Sequence, residues 1–422
     1  MRTIVIRAFL IVLSWLFCSM RVNAQQDSLN SLVQKFDHYQ IQNIQEKIFV
    51  HIDHTFFVTG ETLWFSVFVV DGFLHRPSDL SKVVYLEVID KDKVSVLKVK
   101  ISVTDGMGNG ALFIPSSLSS GNYALIAYTR WMQNFSPDCY FNQPITVVNP
   151  FVRLAPQARG EQRPYDIQFF PEGGNLVEGL PSTVAFRAVG RNGIGVDFLG
   201  AVLNARNDTV LHTRPLKFGL GKFRFTPEAG QHYTLVFTDP DNRKITTPIP
   251  VAMERGYVIQ VKDSLDFLEV NVYSRFQDGF SKSRWVYLFV QSLQIRIAAR
   301  VLPLSSSRAT FRIEKKKLRE GVNHFTLLDD NLKPVCERLY FKKPEHSLRL
   351  EVKPDLEKYS TREKIELNFV SRVSDGRPAN PAMSVSVYRM DSLEQDEPLS
   401  ISNFLWLTSE LKGKIESPGY YL

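Results

Sequence analysis

An all-β chain of tandem sandwich domains behind one short N-terminal helix is the fold class this sequence predicts. Three observations point there. Apolar and polar residues alternate from Ile48 onward, which is the period of a half-buried strand. A strand–turn–strand unit recurs at a spacing of about 100 residues, the size of one sandwich. Thirty Phe and fifteen Tyr accompany 22 Pro and 23 Gly, a mixture that favours strands punctuated by turns.

The first 24 residues stand apart from that pattern. Arg2 and Arg7 precede an apolar run from Ala8 to Phe17, and Val22-Asn23-Ala24 lies ahead of Gln25. This is the plan of a secretory signal peptide (1–24), with an apolar part too short for a span of ~20 residues. Cys18 follows Trp15, Leu16 and Phe17 where a lipidation site needs small residues, so lipidation is not expected there. Residues 25–46 form the N-terminal helical segment. Within it Leu29, Leu32, Val33 and Phe36 line up one apolar face, which is expected to cap the first sandwich.

Ile48, Val50 and Ile52 share one face of the first strand, and Leu63, Phe65, Val67 and Val69 one face of the next. Val84, Leu86 and Val88 follow, then a strand over 94–103. The internal repeat carries the count further. "GMGNGALFIPSSLSSGNYALIAY" (106–128) aligns with "GLGKFRFTPEAGQHYTLVF" (219–237), and more loosely with "ATFRIEKKKLREGVNHFTLL" (309–328). The opening ends repeat as well: "FFVTGETLWFSVFV" (56–69), "NLVEGLPSTVAFRAV" (175–189) and "EKYSTREKIELNFV" (357–370) each set a polar turn before an alternating strand. Sandwiches are therefore expected at 47–150, 164–253, 256–343 and 346–422, joined by linkers at 150–164, around Glu254-Arg255-Gly256 and at 342–346.

Charge and cysteine content narrow the function classes. The formal charge is +7, and the signal segment holds three arginines (Arg2, Arg7, Arg21) and no acid, leaving +4. So mild a balance gives no electrostatic case for nucleic acid. No second apolar stretch approaches ~18 residues, so no transmembrane segment is expected in the mature chain. Cys139 and Cys336 fall in different expected domains; two separate thiols is the expected state, and a disulfide the alternative.

Each candidate site has a plainer reading beside it. His51, Asp53 and His54 could ligate a metal, but a strand turns alternate residues to opposite faces, and zinc needs three or four ligands. A strand edge with Asp53 serving turn amides is the expectation. Gly106-x-Gly108-x-Gly110 lies between strands with no helix following, so a hairpin replaces the nucleotide-loop reading. "TDPDNR" (238–243) offers Asp239 and Asp241 to calcium, yet no coordinating glutamate follows, and a hairpin loop explains it. Gly279-Phe-Ser281-Lys-Ser283 is not a nucleophile elbow, and no metalloprotease helix or P-loop motif occurs. No catalytic, cofactor-binding or metal-ligating residue is assigned, and no cofactor is expected.

A family resemblance rests on five stretches: "KIFVHIDHTFFVTGETLWFSVFVVDG" (47–72), "PSDLSKVVYLEVID" (77–90), "SGNYALIAYTRWMQNF" (120–135), "IQFFPEGGNLVEGLPSTVAFRAV" (167–189) and "LTSELKGKIESPGYYL" (407–422). They resemble exported Gram-negative bacterial proteins that carry macroglobulin-like domains, of the second-domain type found in α2-macroglobulins. The resemblance implies macroglobulin/immunoglobulin-like sandwiches facing the periplasm or cell surface. Longer relatives continue into a plug like that of TonB-dependent receptors. This chain stops at Leu422 without one, so its fourth sandwich is expected to be cut short of its closing strands, with an edge open to a partner strand. The covalent trap of α2-macroglobulins needs Cys-Gly-Glu-Gln; here Arg159 precedes Gly160-Glu161-Gln162, so trapping is not expected.

The reading that follows is a non-catalytic, exported binding or scaffolding protein of the cell envelope, in the periplasm or at the outer membrane, with a protein partner there. Two alternatives stay open. One is an accessory subunit docking on a TonB-dependent barrel; the other is a glycan-processing enzyme whose carboxylates meet in an inter-domain cleft.

Overall fold

The computed structural model describes residues 25–152, 165–276, 284–345, 348–388 and 399–422. The chain forms two compact units, one over Met1–Ile44 and Gln157–Lys342, the other over Gln45–Pro156 and Lys343–Leu422. The signal segment, Arg159–Gln162 and Gly279–Ser281 lie outside the described residues. The fold is all-β: tandem β-sandwiches with a short N-terminal helix.

In the unit containing residues 45–156, β1 (Glu46–Ile52), β3 (Thr62–Asp71) and β6 (Met107–Phe113) form one sheet in the order β1-β3-β6. The facing sheet runs β2 (Phe56–Val58), β8 (Phe141–Val148), β7 (Gly121–Thr129), β4 (Val83–Ile89), β5 (Ser95–Ser102). Ile48, Leu63, Val67 and Val69 from the first sheet meet Leu86, Leu125 and Ile145 from the second in one dry core. The predicted period-two faces are those that close this core. A buried carboxylate at Glu46 fastens its end, accepting from the hydroxyls of Ser78 (2.9 Å) and Thr129 (2.9 Å) and from Ser81.

The other unit holds two sandwiches. The first has a sheet of β13 (Pro215–Lys217), β14 (Leu220–Phe225), β10 (Ser182–Gly190) and β9 (Tyr165–Pro171), in that order. Facing it are β12 (Thr209–Thr213), β11 (Gly200–Leu203), β15 (Thr234–Thr238) and β16 (Lys244–Pro248). The second pairs β17 (Gly256–Asp263), β18 (Phe267–Arg275) and β21 (Arg308–Glu314) against β20 (Ile295–Pro303), β19 (Trp285–Ser292), β22 (Gly321–Leu328) and β23 (Pro334–Lys342). Glu172 ties the two, accepting from the Val261 amide at 3.1 Å and from Arg338 at 3.2 Å.

The N-terminal helix α1 (25–42) packs on this last sandwich, not on the one that follows it in sequence. Leu29, Leu32, Val33 and Phe36 cover Tyr287, Phe289 and Leu328, with the Phe36 and Phe289 rings edge to face at 4.8 Å. Asp37 pairs with Arg296 at 3.0 Å. The reason lies in β19, whose residues 286–290 are all buried, so both faces need a cover. Amphipathicity shows that a helix must be covered, not which sheet covers it.

The sequence repeat has a structural cause. In each sandwich one strand lies between the first strand and the strand that opens the repeat: β3 between β1 and β6, β10 between β9 and β14, β18 between β17 and β21. Gly106 and Gly219 take φ of 73° and 69°, a backbone that disfavours any other residue. Their carbonyls accept from the central strand, at the amides of Val69 (2.7 Å) and Ala188 (2.9 Å). Two residues on, Gly108 lies opposite Val67 and Gly221 opposite Phe186. A Cβ at Gly221 would come within 2.2 Å of the Phe186 ring, so the glycine makes room for the aromatic.

Residues 348–422 depart from the expected fourth sandwich. Among the described residues they contain one two-stranded sheet, β24 (Leu348–Pro354) with β25 (Leu367–Val373), and a short helix α2 (Ile401–Trp406). Ser400 caps α2 by accepting from the Asn403 amide at 3.1 Å. Phe404 enters the core of the 45–156 sandwich, 5.8 Å from the Phe49 ring and 5.5 Å from Phe141.

Candidate functional site

The histidine motif sits where β1 ends. The strand stops at Ile52, so Asp53 and His54 do not alternate as a continued strand would place them. They come together instead, Asp53 Oδ2 lying 3.2 Å from His54 Nδ1. Burial raises the Asp53 pKa, against the pull of His54 and neighbouring backbone amides. The turn amide of Val58 is taken by Glu61, at 2.7 Å. His51 faces elsewhere: its Nδ1 is 2.7 Å from Ser384 Oγ and its Nε2 3.4 Å from Ser386 Oγ. Burial lowers the His51 pKa, which favours the neutral ring that two hydroxyls can share. Tyr388 stacks on His54 at 6.1 Å.

This arrangement does not read as catalytic. A serine–histidine pair acts as nucleophile and base when a third group orients the ring. Here hydroxyls occupy both ring nitrogens, leaving none for a carboxylate. What the histidines touch is the 384–388 segment, in which Ser384 and Ser386 are half-buried while Val385, Val387 and Tyr388 are exposed. Among the described residues no group of three or more His, Cys, Asp or Glu is placed to hold a metal ion.

The remaining sequence candidates resolve into structure. Asp239 accepts from the Arg243 amide and guanidinium, each at 2.8 Å, and Asp241 from the same guanidinium at 2.6 Å, so one arginine neutralises both carboxylates and closes the loop. Thr104 and Met107 exchange backbone bonds around Gly106, a hairpin turn. Cys139 is exposed and Cys336 buried, and both are free thiols; burial pushes the Cys336 pKa up to about 12.

The remaining feature is the hairpin β24–β25, whose second strand begins within the 357–370 repeat. Its register pairs Leu348 with Val373, Leu350 with Ser371, Val352 with Phe369 and Pro354 with Leu367. Leu348, Leu350, Val352, Leu367 and Phe369 therefore share one face, and Arg349, Glu351, Lys353 and Arg372 the other. Such a face is built for a core, yet these five apolar residues are exposed, Leu350 at 48% and Phe369 at 37%. The alternation was readable and an open edge was expected in this region; which apolar face stands in water depends on the strands that pack around it in space.

Fold and site together define a tandem β-sandwich protein with one amphipathic hairpin left open to solvent. No family model matches the chain, and no curated protein does. Solved structures do. The chain is similar to native Escherichia coli α2-macroglobulin at 11% identity, over 77% of this chain and 25% of that one, with a TM-score of 0.21. It is also similar to dimeric latent PorU from Porphyromonas gingivalis, at 12% identity over 70% and 33% of the two chains, TM-score 0.29. A tetra-tandem repeat from the extending region of a large adhesion protein matches at 11% identity over 79% and 89%, TM-score 0.20. The chain thus spans about a quarter of the α2-macroglobulin's length. Among the described residues no helix is long and apolar enough to cross a membrane.

Proposed function

We propose that this chain is a non-catalytic binding or scaffolding protein of the bacterial cell envelope, exported and acting through its sheet surfaces. The observation that carries the reading is the β24–β25 hairpin, an amphipathic pair with its apolar face in water. An exposed face of this kind marks an interaction site. Export is supported by the composition of residues 1–24. The site is the periplasm or the outer membrane, and the partner is a protein held there, a TonB-dependent barrel being the partner class that the family resemblance names.

Capture of the tagged full-length chain from cross-linked envelopes, with linked lysines read by mass spectrometry, tests this. One stoichiometric envelope protein linked through Lys353 or Lys358 is the expected result. Recovery of the chain from the cytoplasm, or of an envelope partner linked only outside residues 348–422, would contradict it.

A further inference from the structure

Three sandwiches of this chain show what the edge of β25 lacks. Odd-numbered residues of β25 direct their backbone away from β24: Val373 donates to the Arg377 carbonyl at 3.0 Å and Ser371 accepts from Ala379 at 3.0 Å. The same two bonds mark the same positions elsewhere. Asp71 donates to Arg76 and Val69 accepts from Ser78 in the first sandwich; Gly190 donates to Ile194 and Ala188 accepts from Val196 in the second. Ser371 therefore corresponds to Val69 and Ala188, Phe369 to Val67 and Phe186, and Leu367 to Phe65 and Val184.

At each of those positions the earlier sandwiches add a third strand, β6 or β14. Its first glycine offers a carbonyl to the amide of Val69 or Ala188. Its second glycine stands opposite Val67 or Phe186, and the residue two further on stands opposite Phe65 or Val184. In the sandwich holding β18, Ser274 donates to the Ser307 carbonyl at 2.9 Å, and the small Ala309, two residues on, stands opposite Val272. Around β25, among the described residues, no such strand is paired at Leu367 or Phe369. The 380–388 segment does not fill the place either, since its serines turn to His51.

We infer that β25 accepts an antiparallel strand donated by a partner polypeptide, of the pattern Gly-x-Gly-x-apolar-x-apolar. In this pairing the first glycine's carbonyl accepts the Ser371 amide. The second glycine lies over Phe369, where a side chain would strike the ring as it would at Gly221. The next apolar residue faces Leu367 and extends the apolar face of the hairpin. Main-chain bonds supply affinity, and the glycine over the aromatic supplies selectivity. The inference rests on the binding reading above and specifies the chemistry of its partner.

The test uses the full-length mature chain and a labelled peptide copying residues 218–227, which contains Gly219, Gly221, Phe223 and Phe225. Fluorescence anisotropy reads binding and hydrogen exchange locates it. The expected result is saturable binding with new protection at Leu367, Phe369 and Ser371. The same peptide with valine at the position of Gly221 should bind roughly tenfold or more weakly, as should the Ser371→Pro chain, which at a sheet edge that tolerates proline loses the amide donor together with the hydroxyl that donates to the Ala379 carbonyl at 2.5 Å. Leu367→Lys keeps every backbone group, charges the apolar face, and should weaken binding comparably if Ser371→Pro perturbs the hairpin. No binding, equal binding of the valine peptide, or protection confined to other strands would overturn the inference. So would concentration-dependent protection of Leu367 and Phe369 without peptide, which would make a second copy the occupant. Loss of peptide binding alongside an envelope partner cross-linked through Lys353 or Lys358 would defeat the strand pattern alone and leave the binding reading standing.

Discussion

In the hairpin β17–β18, Ile259 lies opposite Val272 and Val261 opposite Val270; in β24–β25, Leu350 lies opposite Ser371 and Val352 opposite Phe369. The alternation and the register match. Ile259, Val270 and Val272 are fully buried, because β21 and a second sheet cover them, whereas the corresponding side chains of β24–β25 stand in water. The difference teaches that an amphipathic hairpin is a local property of sequence and a core is not. The same pattern is buried or exposed according to whether a third strand and a second sheet cover it.

The largest contrast should appear on truncation. Ile259→Ala removes a buried side chain and should cost about 2–5 kcal/mol, while Leu350→Ala should stay within about 0.5 kcal/mol. Alkylation of Cys336 reports the loss at Ile259, since this buried thiol, with its pKa pushed up to about 12, reacts only when its sandwich opens, and urea denaturation of the unit holding Leu350 reports the other. Equal costs at the two positions would erase the comparison. Next in size, Phe404→Ala should cost about 3 kcal/mol and free α2 from the 45–156 sandwich, read as faster amide exchange over 401–406. Gly221→Val should cost about 1–3 kcal/mol by forcing the Phe186 ring aside, measured by urea denaturation. It checks the glycine-over-aromatic rule inside the chain.

The smallest effect concerns pH. His51 is held below its ordinary pKa of 6.5 by burial against the 384–388 segment. Released, the ring takes up a proton first as pH falls through 6.5, so the contact is fully present above that value and weakens below it. The protection factor for hydrogen exchange over 384–388, taken relative to the intrinsic rate at each pH, should fall on acidification in the wild type, and His51→Ala should abolish that fall while leaving the protection of β18 unchanged.

Much of the fold was legible in residues. Period two located the strands, and the Gly-x-Gly repeat marked a real recurrent strand because its first glycine needs positive φ and its second must clear a neighbour. What the residues concealed was long-range choice. The apolar stripe of α1 carries no address, and only the consecutive buried run at 286–290 of β19 hinted at its partner. The end of a strand near His51, Asp53 and His54 was legible, but the serines that meet His51 lie more than 300 positions away in sequence. The alternation of the open hairpin resembles that of the closed ones, so the expected open edge rested on the family resemblance and the exposed face emerges from the paired strands around it.

Hydrogen exchange at single-residue resolution on the full-length chain, without added peptide, compares the two hairpins most directly. The amides of Leu268 and Val270 face β21 and those of Leu367 and Phe369 face an edge. An open edge predicts slow exchange at the first pair, approaching global stability, and fast exchange at the second. Equal and slow exchange at all four would mean that β25 is already covered, and would contradict the central claim.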